Sequence, residues 1–520
     1  MLKFRVFDDN GEAHKWAIRN AYLVGSDKNA VRGWISFQDG LIICEKREPG
    51  VAALALQQNV GDCGELTLQT CFLPEHDEPY LLTLELARHR LMLLYNKLED
   101  WAMFDLADDH PVTERANFAR KAFIEALCLA RDDPRKADQL ARRSLDKAID
   151  ATEELALAHA AVMLNRRRTA GMVPKYPMGC GISLDQTNDR LRQGMAANFD
   201  FLQMPTPWKV VAPEEGDFRF AQLDSWVEWA SRNRTPIIAG PLVCFSPDVL
   251  PDWLYIWEHD YETVRDIIYE HIERLVTRYR NNVAAWTVVS GLHVNSHFTF
   301  KFEQLLDLTR MGVMLVKKIQ PRAKVLIEIR QPFGEYFGSN QRSIPPLMYA
   351  DALVQSAISF DGLTVKLMMG QATPGLYTRD LMQASNLLDE FAFIGKPLTV
   401  VLGAPSEPVT QEMISVPEFS EQVDDRSGSW RKPWSPTVQS HWLQAFMQMV
   451  MSKPYVEAVV WQDIVDHRAM ELPMSGLVTE DLHPKSAYRK LAQFRRGLLG
   501  LDGADVEAPV SNLPSGKEEA

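Results

Sequence analysis

Cysteine is scarce in this chain and nowhere paired by spacing. The six cysteines, Cys44, Cys63, Cys71, Cys128, Cys180 and Cys244, are scattered without a CxxC pattern. Neither a structural zinc site nor a disulfide framework is indicated, and buried free thiols are the plain reading. No metal and no cofactor is called for. Basic charge is also short, with 56 Lys and Arg against 69 Asp and Glu and a net charge of -13. That balance disfavours nonspecific attraction to nucleic acid or to an anionic membrane surface, both of which need a basic face. No apolar run approaches the roughly 18 residues of a membrane span, and Met1 to Asp9 carries charges where a secretory leader needs an apolar segment. A cytoplasmic protein without nucleic-acid or membrane partners is expected. What is present is core material: 520 residues, 46% hydrophobic and 24% charged, enough for roughly two to four domains.

Residues 1–83 alternate short β-prone runs with turns such as Asp8-Asp9-Asn10-Gly11 and Gln38-Asp39-Gly40, which predicts a small β-sandwich. Trp16 and Trp34 fit either its core or a sugar-stacking role, and core is the commoner fate of tryptophan in a small sandwich. Residues 84–170 change to Ala, Leu, Arg, Glu and Asp with helical spacing, predicting about three helices. Their breaks fall near Asp108 to Pro111 and Asp132 to Pro134, where Asp and Pro serve as cap and first-turn residues. The basic run Arg166-Arg167-Arg168 reads as a solvated helix end.

Residues 171–500 alternate short apolar strands with amphipathic helices. The candidate strands are 179–184, 199–203, 236–239, 284–289, 324–329, 362–367, 397–402 and 458–461. Eight strands with intervening helices predict an α/β fold, a (β/α)8 TIM barrel with loop insertions, preceded by the sandwich and the helical segment. Chemistry in that fold sits beyond the C-terminal strand ends. Residues 501–520, rich in Pro, Gly, Ser and acid, read as a disordered tail.

Over about residues 176–496 the chain resembles glycoside hydrolase family 10, the endo-β-1,4-xylanases. Phe199-Asp200-Phe201 through Pro207-Trp208, then Pro213 to Phe220 and Asp224, are similar to the family's second strand and EPxxGxFxFxxxD run. Pro251-Asp252-Trp253, His271-Ile272, Arg278-Tyr279 and Trp286 resemble its landmarks ahead of strand four. Asp361-Gly362-Leu363, Lys396-Pro397-Leu398, Trp461, Gly476-Leu477 and Pro484 to Tyr488 continue the series to the end of the barrel. The order and spacing of these elements carry the likeness; no single one is specific.

The departures fall on the face where such a barrel works. The family's WDVVNE becomes Trp286-Thr287-Val288-Val289-Ser290-Gly291, so the resemblance puts Gly291 at the acid/base glutamate. TELD becomes Val401-Leu402-Gly403-Ala404, which puts Leu402 at the nucleophile. Lys366 and Met368 replace Gln and His on strand six, and the substrate-gripping Asn and Lys near Trp208 are missing. A retaining glycosidase needs two carboxyl groups about 5 Å apart, one to protonate the leaving oxygen and one to attack the anomeric carbon. Gly and Leu supply neither, so family-type xylanase catalysis is not expected.

Other carboxylates are candidates for relocated catalysis: Glu328 within strand five, Glu335 after it, and Asp463 and Asp466 after strand eight. Each also fits a bland role, as an ion-pair partner inside the barrel or as a helix cap. Trp208, Lys209, His293, Lys366, Trp461 and Asp463 are the candidate ligand-binding residues. His293 and His297 have HxxxH spacing in a loop, which is weak evidence for a metal. The segment Ser429 to Trp434 reads as a lid, a partner surface or a loop anchor. Three functions are consistent with this pattern. The first is a barrel that binds a glycan or another small polyhydroxylated ligand without hydrolysing it, a pseudoenzyme. The second is an atypical glycosidase using relocated carboxylates, and the third a scaffold whose N-terminal module binds a protein partner.

Overall fold

The computed structural model describes residues 1–8, 11–47, 49–298, 300–414, 427–468 and 470–501. The expected disordered tail lies, apart from Leu501, outside the described residues.

Alternating burial builds the β-rich N-terminal region, as in Leu2–Arg5, where Leu2 and Phe4 point inward and Lys3 and Arg5 are half-buried. One sheet runs in the order Tyr80–Leu81, Leu2–Arg5, Leu41–Lys46, Gly33–Gln38. A second runs Ser429–Trp430, Gly64–Gln69, Ala52–Asn59, Tyr22–Gly25, Ala30–Val31. Its first strand comes from far along the chain. The segment read as a lid or anchor therefore adds an edge strand to the N-terminal module, through the pairs Ser429 with Glu65 and Trp430 with Gly64. Trp34 departs from the core reading: on the outermost strand of its sheet, it is 70% exposed.

Three helices follow: α1 (Leu82–Asp100), α2 (Pro111–Leu129) and α3 (Pro134–Thr169). The predicted breaks hold, with Pro111 and Pro134 in the first turns, where a missing N–H costs nothing. The caps are His110, whose Nδ1 accepts from Val112 N, and Asp133, which accepts from Lys136 N. Small residues, among them Ala116, Ala119, Ala148 and Ala151, line the contact between the helices. The basic run at the end of α3 is not simply solvated. Arg167 is buried and donates to the carbonyls of Met451, Lys453 and Val456, pinning α3 to the base of the last barrel strand.

The barrel strands are Met178–Gly181, Phe201–Met204, Ile237–Ala239, Ala285–Ser290, Lys324–Ile329, Gly362–Met368, Leu398–Gly403 and Val456–Trp461. All pair in parallel, and the Ile238 to Ala285 register closes the ring. Among the described residues no helix is long and apolar enough to cross a membrane.

Buried polar ties fix the N-terminal module to one flank of the barrel. Arg90 Nη1 donates to Asp380 at 2.9 Å, and Arg379 reaches Glu335 at 2.6 Å and the Tyr22 hydroxyl at 2.9 Å. Arg431, next to the added strand, pairs with both Asp150 and Glu153 of α3. Trp430 Nε1 donates to the same Glu153 at 2.9 Å.

Candidate functional site

Strand alternation decides which side chains reach the barrel mouth. Phe201, Val401, Ala458 and Val460 form one small cluster drawn from the second, seventh and eighth strands, so these residues fill the barrel interior. By the same period Glu328, Lys366, Met368 and Gly403 face inward, while Val400 and Leu402 face the helices. This corrects the position of Leu402. It is fully buried in the helix-facing core, and Gly403 is the seventh-strand residue at the mouth. A Cβ built on Gly403 would meet Met368 Cγ at 3.2 Å. Gly291 sits just past the fourth strand in the left-handed region (φ +64), its missing Cβ aimed at the Arg330 side chain, 2.9 Å from Cδ.

The mouth holds an ionic cluster. Ser290 Oγ donates to Glu328 Oε1 at 2.7 Å. Glu471, from the segment after the eighth strand, pairs with Arg330 at 2.7 Å and with Lys366. Burial opposes ionisation of Glu471, but Arg330 and Lys366 outweigh it and hold the carboxyl at about 2. Burial likewise opposes the Lys366 charge, and Glu471 and Glu328 more than restore it. Arg330 Nη1 also approaches Cys244 Sγ at 3.4 Å. Sequence reasoning missed Glu471. The signal available was a lone acid among apolar residues, Met470-Glu471-Leu472-Pro473, in a segment that follows a strand end.

Beside this cluster lies a concavity lined by Cys244, Ser246, Ser290, Gly291, Arg330 and Gln331. Its empty space is about 280 Å³ counted out to open solvent. Ligand pockets are typically ~300 to 1,000 Å³. The site is therefore a small, mostly polar dish, just below that range.

Several expected ligand contacts are placed elsewhere. Trp208 is 3% exposed and stacks on His271 with ring centroids 4.2 Å apart, so that face is already covered. Trp461 is also buried, faces the helix layer against Trp442, and donates to Ser475 O at 2.9 Å. His293 is buried under Tyr349, with Nε2 on Arg330 O, and burial, the largest influence, depresses its pKa to about 4. These three corrections share a cause: aromatic rings after strand ends found apolar partners inside the protein. Lys209 is exposed and lies 3.8 Å from Asp252.

Among the carboxylates, Glu335 is bound by Arg379, Asn20 and the Gly375 amide, which makes it part of the module contact. Asp466 pairs with Lys485 at 2.6 Å and accepts from Gly476 N at 2.8 Å. Asp463 lies 3.9 Å from His467, and its Oδ2 is buried without a hydrogen bond. Burial disfavours the protonated His467, yet Asp463 leaves its pKa raised. Among the described residues, Cys63, Asp146 and Asp150 bring possible metal ligands within mutual reach. Lys147 and Arg431 already neutralise that group.

Residues 175–306 match the sequence pattern of glycosyl hydrolase family 10. An endo-1,4-beta-xylanase of Agaricus bisporus is 26% identical over 214 residues, 40% of this chain and 60% of that protein. An endo-beta-1,4-xylanase of Cellvibrio japonicus is 26% identical over 160 residues, 28% of this chain and 26% of that protein. The alignments thus span less than two thirds of these relatives. Native xylanase 10B from Thermotoga maritima superposes with a TM-score of 0.47 at 15% identity, covering 66% of this chain and 99% of that one. Xylanase 10B from Thermotoga petrophila, solved in complex with xylobiose, gives 0.43 at 15% identity, covering 65% and 97%. The family match and the sequence relatives support a relation to family 10.

Proposed function

We propose that this family-10-related barrel binds a polyhydroxylated ligand, such as a glycan end, in the dish at its mouth and does not hydrolyse glycosides by the family's mechanism. What supports this reading is that Gly291 and Gly403 end the fourth and seventh strands, the strands on which the resemblance to family 10 leads one to expect the two carboxyl groups. The carboxylates nearest to replacing them are engaged. Glu328 accepts from Ser290, and Glu471 lies between two cations that keep it from acting as an acid at neutral pH. The hydroxyl and amide groups of Ser246, Ser290 and Gln331 suit sugar hydroxyls, and the small volume suits a chain end better than a chain running through. Isothermal titration against a glycan panel tests it. Saturable binding without product formation is expected, and a panel with no binder rejects it.

A second reading, an atypical glycosidase, rests on Asp463, whose buried Oδ2 has no hydrogen bond and whose neighbour His467 carries a proton more readily than usual. Release of an aryl leaving group by the parent chain, lost in Asp463→Asn, would select that reading. A flat screen removes it.

A further inference from the structure

Helix α2 is apolar on two sides. Val112, Ala116, Ala119, Ala122 and Ala126 are buried against α1 and α3, and one such stripe is all that an outer helix of a bundle needs. Phe118, Ile124 and Leu127 lie outside it, 44%, 52% and 45% exposed. Among them an open hollow of about 810 Å³, counted out to solvent, is lined by Asn117, Arg120, Lys121, Ile124 and Glu125. Asn117, Lys121, Ile124 and Cys128 follow one another at helical spacing, so they form a seam opposite the buried alanines. Lys121 and Glu125, of opposite charge, stand one turn apart on the same side of that seam. Part of the Phe118 ring is already used, since the Arg143 guanidinium lies 5.8 Å from its centroid.

We propose that this outward face of α2 is a self-association surface, covered by the same face of a second copy of the chain running antiparallel to it. Charge selects the occupant and its direction. In a two-fold antiparallel pair, positions equally far from the midpoint meet, and each side of the seam meets the same side of the other copy. With the midpoint between Ala122 and Phe123, Lys121 falls beside Glu125 of the second copy, and the symmetry repeats the pair. A parallel two-fold pair would instead set Lys121 on Lys121 and Glu125 on Glu125, which repel. In the antiparallel register each Ile124 lies on the aliphatic stem of the other copy's Lys121, and Asn117 faces Cys128. The inference is independent of the ligand reading of the barrel mouth.

Contact through one helix is small, so the dimer should be weak and depend on concentration. Sedimentation equilibrium of the full chain over about 1 to 300 µM should show reversible monomer and dimer. Lys121→Glu and Glu125→Lys should each weaken the dimer by about tenfold or more, because each creates two like-charge contacts, and the two together should restore it. Ile124→Gln, which changes no charge, should weaken it as well. All these positions are exposed, and far-UV circular dichroism checks that each variant keeps its helices. A short bis-maleimide should link Asn117→Cys to the exposed native Cys128 of the second copy, but should not link the parent, whose two Cys128 residues lie ~16 Å apart along the helix axis. A chain that stays monomeric over the whole range overturns the proposal and leaves the face to a different partner. A dimer that tolerates both single charge reversals overturns it too, since its interface then lies elsewhere. Cross-linking of the parent as readily as of Asn117→Cys refutes the antiparallel register.

Discussion

Replacing Arg431 by methionine should loosen the whole N-terminal module from the barrel. The guanidinium is 31% exposed, while Glu153 is 4% exposed and Asp150 15%. Methionine keeps the apolar stem and removes the charge. Glu153 would then retain only Trp430 Nε1 at 2.9 Å and Leu381 N at 3.1 Å as donors, and Asp150 would keep Lys147. Stripping one partner from a buried ion pair costs about 3 to 5 kcal/mol because the other charge is left in a poor solvent. The partial exposure of Arg431 lets water recover some of this, so a loss of about 2 to 4 kcal/mol is expected. Urea unfolding followed by tryptophan fluorescence measures it. A cycle with Glu153→Gln should return a coupling of about 2 kcal/mol, since the two groups touch. Protease should also cut the module from Arg431→Met sooner than from the parent. A stability within about 0.5 kcal/mol of the parent, or no coupling, would refute the claim that this contact joins module and barrel.

Further outcomes follow from the mouth and the core. Glu471 ionises at about 2 in the folded chain, below its ordinary value of 4.5. A carboxyl depressed by folding stabilises above its unfolded pKa and loses that contribution as pH falls toward the folded one. Melting temperature should therefore drop between pH 4.5 and 2 more steeply in the parent than in Glu471→Gln. His271 is held neutral by burial, with a pKa of about 3. The unfolded chain takes up its proton below about 6.5, so His271→Gln should flatten the acid slope by up to about 1.4 kcal/mol per pH unit between those values, read from denaturation midpoints. Reinstating carboxyls with Gly291→Glu and Gly403→Glu should not produce xylan hydrolysis, measured as reducing-end release. The first variant forces a side chain into a left-handed residue against Arg330 and should cost about 1 to 3 kcal/mol in the same unfolding assay. Trp208→Ala should cost about 3 to 5 kcal/mol as a core truncation and leave ligand affinity in calorimetry unchanged, because its ring faces His271.

Local pattern made the architecture legible. A period of two against a period near four separated strands from helices, and the prolines at 111 and 134 marked helix starts, because both signals act within a few residues of chain. The eight strands of the barrel were readable for that reason. Three matters were decided only by tertiary structure. Whether Leu402 or Gly403 faces the mouth depends on how each strand is rotated in the closed ring, and a shift of one residue reverses the answer. Burial of Trp208, His293 and Trp461 depends on partners such as His271, Tyr349 and Trp442, distant in sequence and brought close by packing. The reach of Glu471 to Arg330 and Lys366 spans 141 and 105 residues of chain. The sequence by itself determined the scaffold; the tertiary structure decided which charges meet at the barrel mouth, since electrostatic pairing depends on distance in space and leaves no periodic trace along the chain.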